Sequence, residues 1–170
     1  MVTEVEQKFY EMMMGRAYKL AEGSNDRSTK NGALLIDGID PFPLATGVNH
    51  FVPGYADTDA ALHRRPGKYT ITEHAERAAI YDAAANGVPT YGLTMICPWA
   101  CCPDCARGIV LSGIRMVVGH KQASDMTPPR WQGLVADGLD ILLSGGVKFI
   151  SLDAKIGGVK NLFDGKVWLP

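Results

Sequence analysis

YGLTMICPWACCPDCARGIVLSGIRMVVG, residues 91–119, sets two apolar runs on either side of a segment that a proline opens and a glycine stops. Its first part, Tyr91 to Cys97, is largely apolar and follows turn residues, which predicts a buried strand. A helix is expected from Pro103 to Ser112, because proline suits a first helical position and Gly113 provides the stop. Arg115 to Gly119 then reads as a second strand. Strand, helix and strand in succession are the working unit of an α/β layer.

The flanking sequence extends this unit in both directions. Upstream, His74 to Asn86 is alanine-rich and predicts a helix ending at Gly87. Before it, Gly32 to Ile36 reads as a buried strand closed by the turn at Asp37-Gly38, with another strand near Leu44 to Asn49. The first segment, Glu4 to Glu22, places Phe9, Met12, Met13, Ala17 and Leu20 three and four residues apart, giving a helix with one apolar face. Downstream, Trp131 to Leu143 reads as a helix and Val147 to Leu152 as a strand. Residues 154–170 read as an irregular aromatic tail of no assigned role. From His50 to Tyr69 the chain is rich in Pro, Gly, Asp and Arg without a period, and a loop of that length is expected to be a substrate-facing lid. The whole predicts a single domain over 1–170: a three-layer α-β-α arrangement around a mixed sheet of about five strands.

Composition narrows the classes of function. A chain of 170 residues, 46% of them hydrophobic, suffices for one substantial core. Its 17 basic residues are offset by 18 acidic ones, so no net positive field draws a nucleic acid polymer, and none is expected as a partner. The acidic start of the chain has no signal-peptide character, and no run of about 18 apolar residues suggests a membrane span. A cytoplasmic location is expected. All four cysteines, Cys97, Cys101, Cys102 and Cys105, fall within nine residues, a clustering that favours thiolate chemistry over disulfide staples.

Two motifs carry the chemistry: His74-Ala75-Glu76, and Cys102-Pro103-Asp104-Cys105 downstream. Alone, a His-x-Glu is ordinarily an exposed helix face, and a Cys-x-x-Cys a structural half-site or a redox pair. In this order, at two predicted helix starts, they match the signature of zinc deaminases. One imidazole and two thiolates suit one Zn²⁺ per chain, and three protein ligands leave the fourth position open for water. Such a site lowers the pKa of water to roughly 7 and so supplies a nucleophile for C4 of cytosine. Glu76 lies two residues beyond a ligand, too close to co-coordinate at helical geometry, and near enough to carry protons. Cys97 reads as a small hydrophobe ending a strand, and Cys101 as packing or a weakly reactive thiol. Trp99 either stacks on a base or packs.

From Ser24 to Leu152 the chain resembles the deoxycytidylate (dCMP) deaminases of the cytidine deaminase superfamily. The resemblance runs through Ser24-Asn25-Asp26, Gly32-Ala33, Thr46-Gly47-Val48-Asn49, Pro53-Gly54, His74 to Ile80, Cys102 to Ile109 and Ser112-Gly113-Ile114. It implies the cytidine-deaminase-like fold and hydrolysis of dCMP to dUMP and ammonia. It further implies substrate contacts at Asn49 and Ala75, with Ser24, Arg27 and the Arg64-Arg65-Lys68 cluster as candidates for a 5′-phosphate. That cluster reads equally well as a solvated loop face. The family also implies a homo-oligomer, regulated by dCTP or dTTP, an effector that would bring Mg²⁺. Two residues depart from the pattern: Ala78 stands where the family commonly has Asn, and Cys101 where Pro precedes the first ligand cysteine. The cysteine-free segment 51–69 gives no support to a second, structural zinc. Other bases therefore stay open, among them 5-substituted dCMP, guanine and tRNA adenosine. So do a non-catalytic zinc-stabilised binding protein and a thiol redox protein using Cys102 and Cys105.

Overall fold

The computed structural model describes residues 3–55 and 59–170. The first helix, α1 (Glu4–Ala21), starts on a capping box in which Thr3 Oγ1 accepts from the Glu6 N–H at 3.2 Å and the Glu6 carboxylate accepts from the Thr3 N–H at 2.8 Å. There follow β1 (Gly32–Ile36), β2 (Ala45–Val48), β3 (His50–Phe51), α2 (Lys68–Ile71), β4 (Thr72–Glu73), α3 (Ala75–Ala85) and β5 (Thr94–Ile96). The second half supplies α4 (Pro103–Leu111), β6 (Met116–His120), α5 (Lys121–Asp125), α6 (Pro129–Ser144), β7 (Lys148–Leu152), β8 (Asn161–Phe163) and β9 (Lys166–Trp168).

Five strands form one sheet in the order β2-β1-β5-β6-β7. β1 runs antiparallel to β2 and β5, whereas β5–β6 and β6–β7 are parallel. This is the mixed sheet expected. Alternation along β1 divides the core: Ala33 and Leu35 pack with α3 and α4 residues, and Leu34 and Ile36 with Tyr10, Met13, Met14 and Ala17 of α1. Successive side chains of a strand point to opposite faces, so one buried strand serves both helical layers. Gly47 brings β2 against α3; a Cβ there would stand 2.3 Å from the Ala79 nitrogen and 2.4 Å from the Ala75 carbonyl oxygen. Gly138 does the same for α6, since its Cβ would lie 2.1 Å from the Cys101 carbonyl oxygen.

Three segments differ from the sequence expectations. The segment 50–69 is not loop throughout: β3 pairs with β4, His50 opposite Glu73 and Phe51 opposite Thr72, and α2 begins at Lys68. Residues 56–58 of the expected lid lie outside the described residues. The tail is not irregular, because β8 and β9 form an antiparallel hairpin whose turn residues Asp164 and Gly165 have φ of 48° and 80°. β5 is shorter than the strand predicted from Tyr91, since the Leu93 N–H turns back to the Thr90 carbonyl at 3.2 Å. Among the described residues no helix is long and apolar enough to cross a membrane.

Candidate active site

The cysteine loop leaves the C-terminal end of β5, where the sheet changes from antiparallel to parallel pairing, a usual place for a ligand crevice in α/β sheets. Cys102 is the N-cap of α4 with Pro103 behind it, and His74 is the N-cap of α3. Neither side chain is spent on capping its own helix, so both turn toward one point. His74 Nδ1 lies 3.5 Å from Cys102 Sγ and 3.5 Å from Cys105 Sγ, and the three donor atoms fall within 4.8 Å of one another. A tetrahedral zinc with Zn–S near 2.3 Å and Zn–N near 2.0 Å sets its nitrogen and sulfur ligands about 3.5 Å apart, so the donor set fits that ion. Among the described residues, the metal-capable group stops at these three.

Electrostatics set the two thiols apart. Hydrogen bonding from the Cys105 thiol, helped by His74, holds Cys102 down at about 3 against the effect of burial. The same contact with Cys102, reinforced by burial, pushes Cys105 up. The contact favours the thiolate on Cys102, and the positive ends of two helices support it. Arg77 adds a further cation: its Nη1 donates to Cys105 Sγ at 3.3 Å, while Nη2 pairs with Glu73. Glu76 is 2% exposed, and burial raises its carboxyl above the usual range. Its side chain lines the same pocket as His74 and Cys102 without belonging to the three-donor group.

The pocket has aromatic walls and a cationic mouth. Trp131 meets Tyr69, Trp99 and His74 edge-on at ring-centroid distances of 5.4, 5.8 and 6.2 Å, and Trp99 meets Phe163 at 5.0 Å. Trp99 is fixed by an indole hydrogen bond to Thr127 Oγ1 at 3.0 Å. Asn49 and Ala75 line the pocket. The Asn49 side chain accepts from the Asn31 N–H and donates to the Thr29 carbonyl, both at 2.7 Å. Ser24 stands behind this wall, its hydroxyl donating to the Asn49 carbonyl at 2.5 Å. Arg27 is exposed and, like Arg64, lies outside the lining, whereas Arg65 and Lys68 are part of it. Lys68 is buried and donates to both Asp26 oxygens at 2.7 and 2.9 Å. Burial pushes Asp26 up, but Lys68 and the Ser28 and Thr29 amides outweigh it and hold the carboxyl low. The structure adds pocket residues absent from the sequence reading: Asn31, Thr72, Arg130, Trp131 and Phe163.

Residues 7–121, which carry the three-donor group, match the cytidine and deoxycytidylate deaminase zinc-binding region. The chain belongs to that family. Among its relatives, the deoxycytidylate deaminase of Enterobacteria phage T4 is 37% identical over 82 residues, 48% of this chain and 38% of the phage protein. That of phage T2 is 37% identical over 79 residues, 46% of this chain and 38% of the relative. The chain therefore spans less than two fifths of the curated relatives it matches. Its fold is similar to that of a dCMP deaminase from cyanophage S-TIM5 solved with dCMP and dUMP, with a TM-score of 0.67 and 24% identity over 85% of this chain and 96% of that one. A Thermotoga maritima diaminohydroxyphosphoribosylaminopyrimidine deaminase/5-amino-6-(5-phosphoribosylamino)uracil reductase gives a TM-score of 0.62 at 24% identity, over 86% of this chain and 37% of that protein. Arg130, Trp131 and Phe163 lie outside the stretch matched to the deaminase family.

Proposed function

We propose that the chain is a zinc-dependent hydrolytic deaminase that converts dCMP and water to dUMP and ammonia. The observation that carries this reading is Glu76, a buried carboxyl lining the pocket beside three metal-capable donors that do not include it. His74, Cys102 and Cys105 would hold the ion. Bound there, zinc supplies a Lewis acid that brings water into the range of a neutral-pH nucleophile.

The remaining chemistry belongs to the protein. Glu76 takes one proton from the attacking water and delivers it to N3 of the cytosine ring, then takes the second from the new C4 hydroxyl and passes it to the departing amine as the C4–N bond breaks and the C4 carbonyl forms. Trp99, Trp131 and Phe163 form an apolar wall against which a flat base packs, and they keep bulk water from the reacting carbon. Asn49 is the candidate contact to sugar or base at the polar wall. Arg65 and Arg130 give the mouth a cationic end suited to a 5′-phosphate, whereas Lys68 is spent on Asp26 and Ser28. The phage relatives named as deoxycytidylate deaminases, and the cyanophage enzyme bound to dCMP and dUMP, support a pyrimidine monophosphate. A homo-oligomer is part of the proposal, supported by the exposed side chains of Tyr91 and Leu111. Regulation by dCTP or dTTP with Mg²⁺ is also part of it, supported by the family resemblance.

The test is a substrate panel of dCMP, deoxycytidine, dCTP and guanine, with ammonia release as the readout. Release is expected with dCMP foremost, and none from any pyrimidine overturns the reading. Glu76→Ala should retain stoichiometric zinc and lose turnover by about 10²- to 10⁴-fold, the usual contribution of a general acid–base.

A further inference from the structure

Arg65 and Arg130 reach the pocket mouth from distant parts of the chain, and one carboxylate holds both. Asp164 Oδ1 accepts from Arg65 Nη2 at 2.7 Å and from Arg130 Nη2, while Oδ2 accepts from Arg130 Nη1 at 3.2 Å. The β8–β9 turn delivers this carboxylate. Its backbone is pinned to the pocket loop, with the Asp164 N–H donating to Thr29 Oγ1 at 3.1 Å and the Gly165 N–H to the Ser28 carbonyl at 2.7 Å. The backbone is fixed, but the Asp164 side chain is 31% exposed and has water to turn into.

The pairing is unlike that of Lys68, whose ion pair with Asp26 is buried with both side chains 6% exposed. Removing one member of a buried pair leaves an uncompensated charge, so the Lys68–Asp26 pair is a permanent part of the wall. The half-exposed Arg65–Asp164–Arg130 group is held far less strongly. A phosphate monoester carries about −1.5 to −2 charge near neutral pH and three acceptor oxygens. It satisfies two guanidinium forks better than a single carboxylate does, whereas an uncharged hydroxymethyl group offers them nothing.

We propose that Asp164 is a displaceable counter-ion that sets the charge selectivity of the pocket. It occupies the Arg65–Arg130 pair when the ligand has no anionic end, and yields the pair to the phosphate of a nucleoside monophosphate. The assignment rests on the nucleotide reading above and adds a selectivity residue that lies beyond the family-matched residues 7–121. Each monophosphate must first release the carboxylate, so its apparent affinity is lowered by the fraction of molecules in which the pair is free.

The test uses the zinc-loaded full chain with Asp164→Asn and Asp164→Gly, both residue types that tolerate the positive φ of this position. Inorganic phosphate is titrated by calorimetry, and kcat/KM is measured for dCMP and deoxycytidine. Both variants should bind phosphate about three- to tenfold more tightly, the effect of removing two half-exposed ion pairs. The preference for dCMP over deoxycytidine should rise by a similar factor. Adding Arg130→Gln should abolish the gain. Unchanged or weaker phosphate binding in both variants overturns the proposal, as does a gain that survives Arg130→Gln. Should phosphate binding tighten while no variant or wild-type protein deaminates dCMP, the nucleotide reading fails and the counter-ion exchange stands. Should dCMP be deaminated while phosphate binding does not move, the exchange fails and the nucleotide reading stands.

Discussion

Thr72 carries a buried hydroxyl oxygen that has no hydrogen-bond partner among the described residues. An unmet buried polar group costs about 1–3 kcal/mol, and this one lies in the wall of the pocket two residues before His74. A ligand can supply a partner once the Thr72 side chain turns toward the pocket it lines. Thr72→Val keeps the side-chain shape and removes the hydroxyl. Its melting temperature should therefore stay level or rise, while KM for the substrate increases about five- to tenfold, the effect of one lost hydrogen bond. A lower melting temperature with an unchanged KM would assign the hydroxyl to the fold instead. The metal-ligating residue types and Glu76 are legible in the sequence because the chemistry is written in adjacent positions, His-x-Glu and Cys-x-x-Cys. Thr72, Arg77 and Asn31 are not, because their contacts follow from placement. Asn31, for example, donates to Cys97 Sγ at 3.3 Å across 66 residues of chain.

Between elements, the site depends on how closely helices approach the sheet and the cysteine loop. Gly47 sits where β2 touches the first turns of α3, the helix that His74 caps. Gly47→Ala must push α3 outward by moving backbone atoms, an overpacking that typically costs about 1–3 kcal/mol. The expected outcome is a lower melting temperature together with weaker zinc retention against a chelator. Full zinc retention at a depressed melting temperature would separate this contact from the metal site. The strand–helix–strand unit over residues 91–119 was readable because its apolar runs and its Pro and Gly stops are local signals. The β3–β4 pairing was not, since two-residue strands show no period and their partners, His50 with Glu73 and Phe51 with Thr72, are more than twenty residues apart. The C-terminal hairpin did carry a signal: Asp164-Gly165 between Asn161–Phe163 and Lys166–Trp168 is the dipeptide that favours a type I′ turn, with positive φ at both residues. That turn places Phe163 in the pocket wall and Asp164 on Arg65 and Arg130, so the tail completes the mouth.

Across the whole molecule, the segment leading to that hairpin is moored on the opposite side of the sheet by one buried histidine. His120, at the end of β6, donates from Nε2 to the Ala154 carbonyl at 2.8 Å and accepts at Nδ1 from the Tyr18 hydroxyl at 2.7 Å. Its ring stacks on Trp168 of β9 at a centroid distance of 6.0 Å. Both nitrogens are engaged by the neutral tautomer. Burial keeps the imidazole below its ordinary pKa, against the opposing pull of the Ala154 carbonyl and Asp153. A depressed histidine binds fewer protons folded than unfolded, so its contribution is fully present above the unfolded value of about 6.5 and is lost as pH falls through the folded value. Amide exchange in residues 161–168, corrected for intrinsic rates, should therefore quicken as pH is lowered from 7.5 toward 5, ahead of exchange in β1 and β5. Because Asp164 and Phe163 ride on the same hairpin, KM for the proposed nucleotide substrate should shift over the same pH interval. Equal protection of the hairpin at pH 7.5 and pH 5 would show that His120 does not hold it. A Tyr18→Phe variant, which removes the hydroxyl that donates to Nδ1, should bring the loosening to a higher pH, where a mooring by Trp168 packing alone would leave it unmoved.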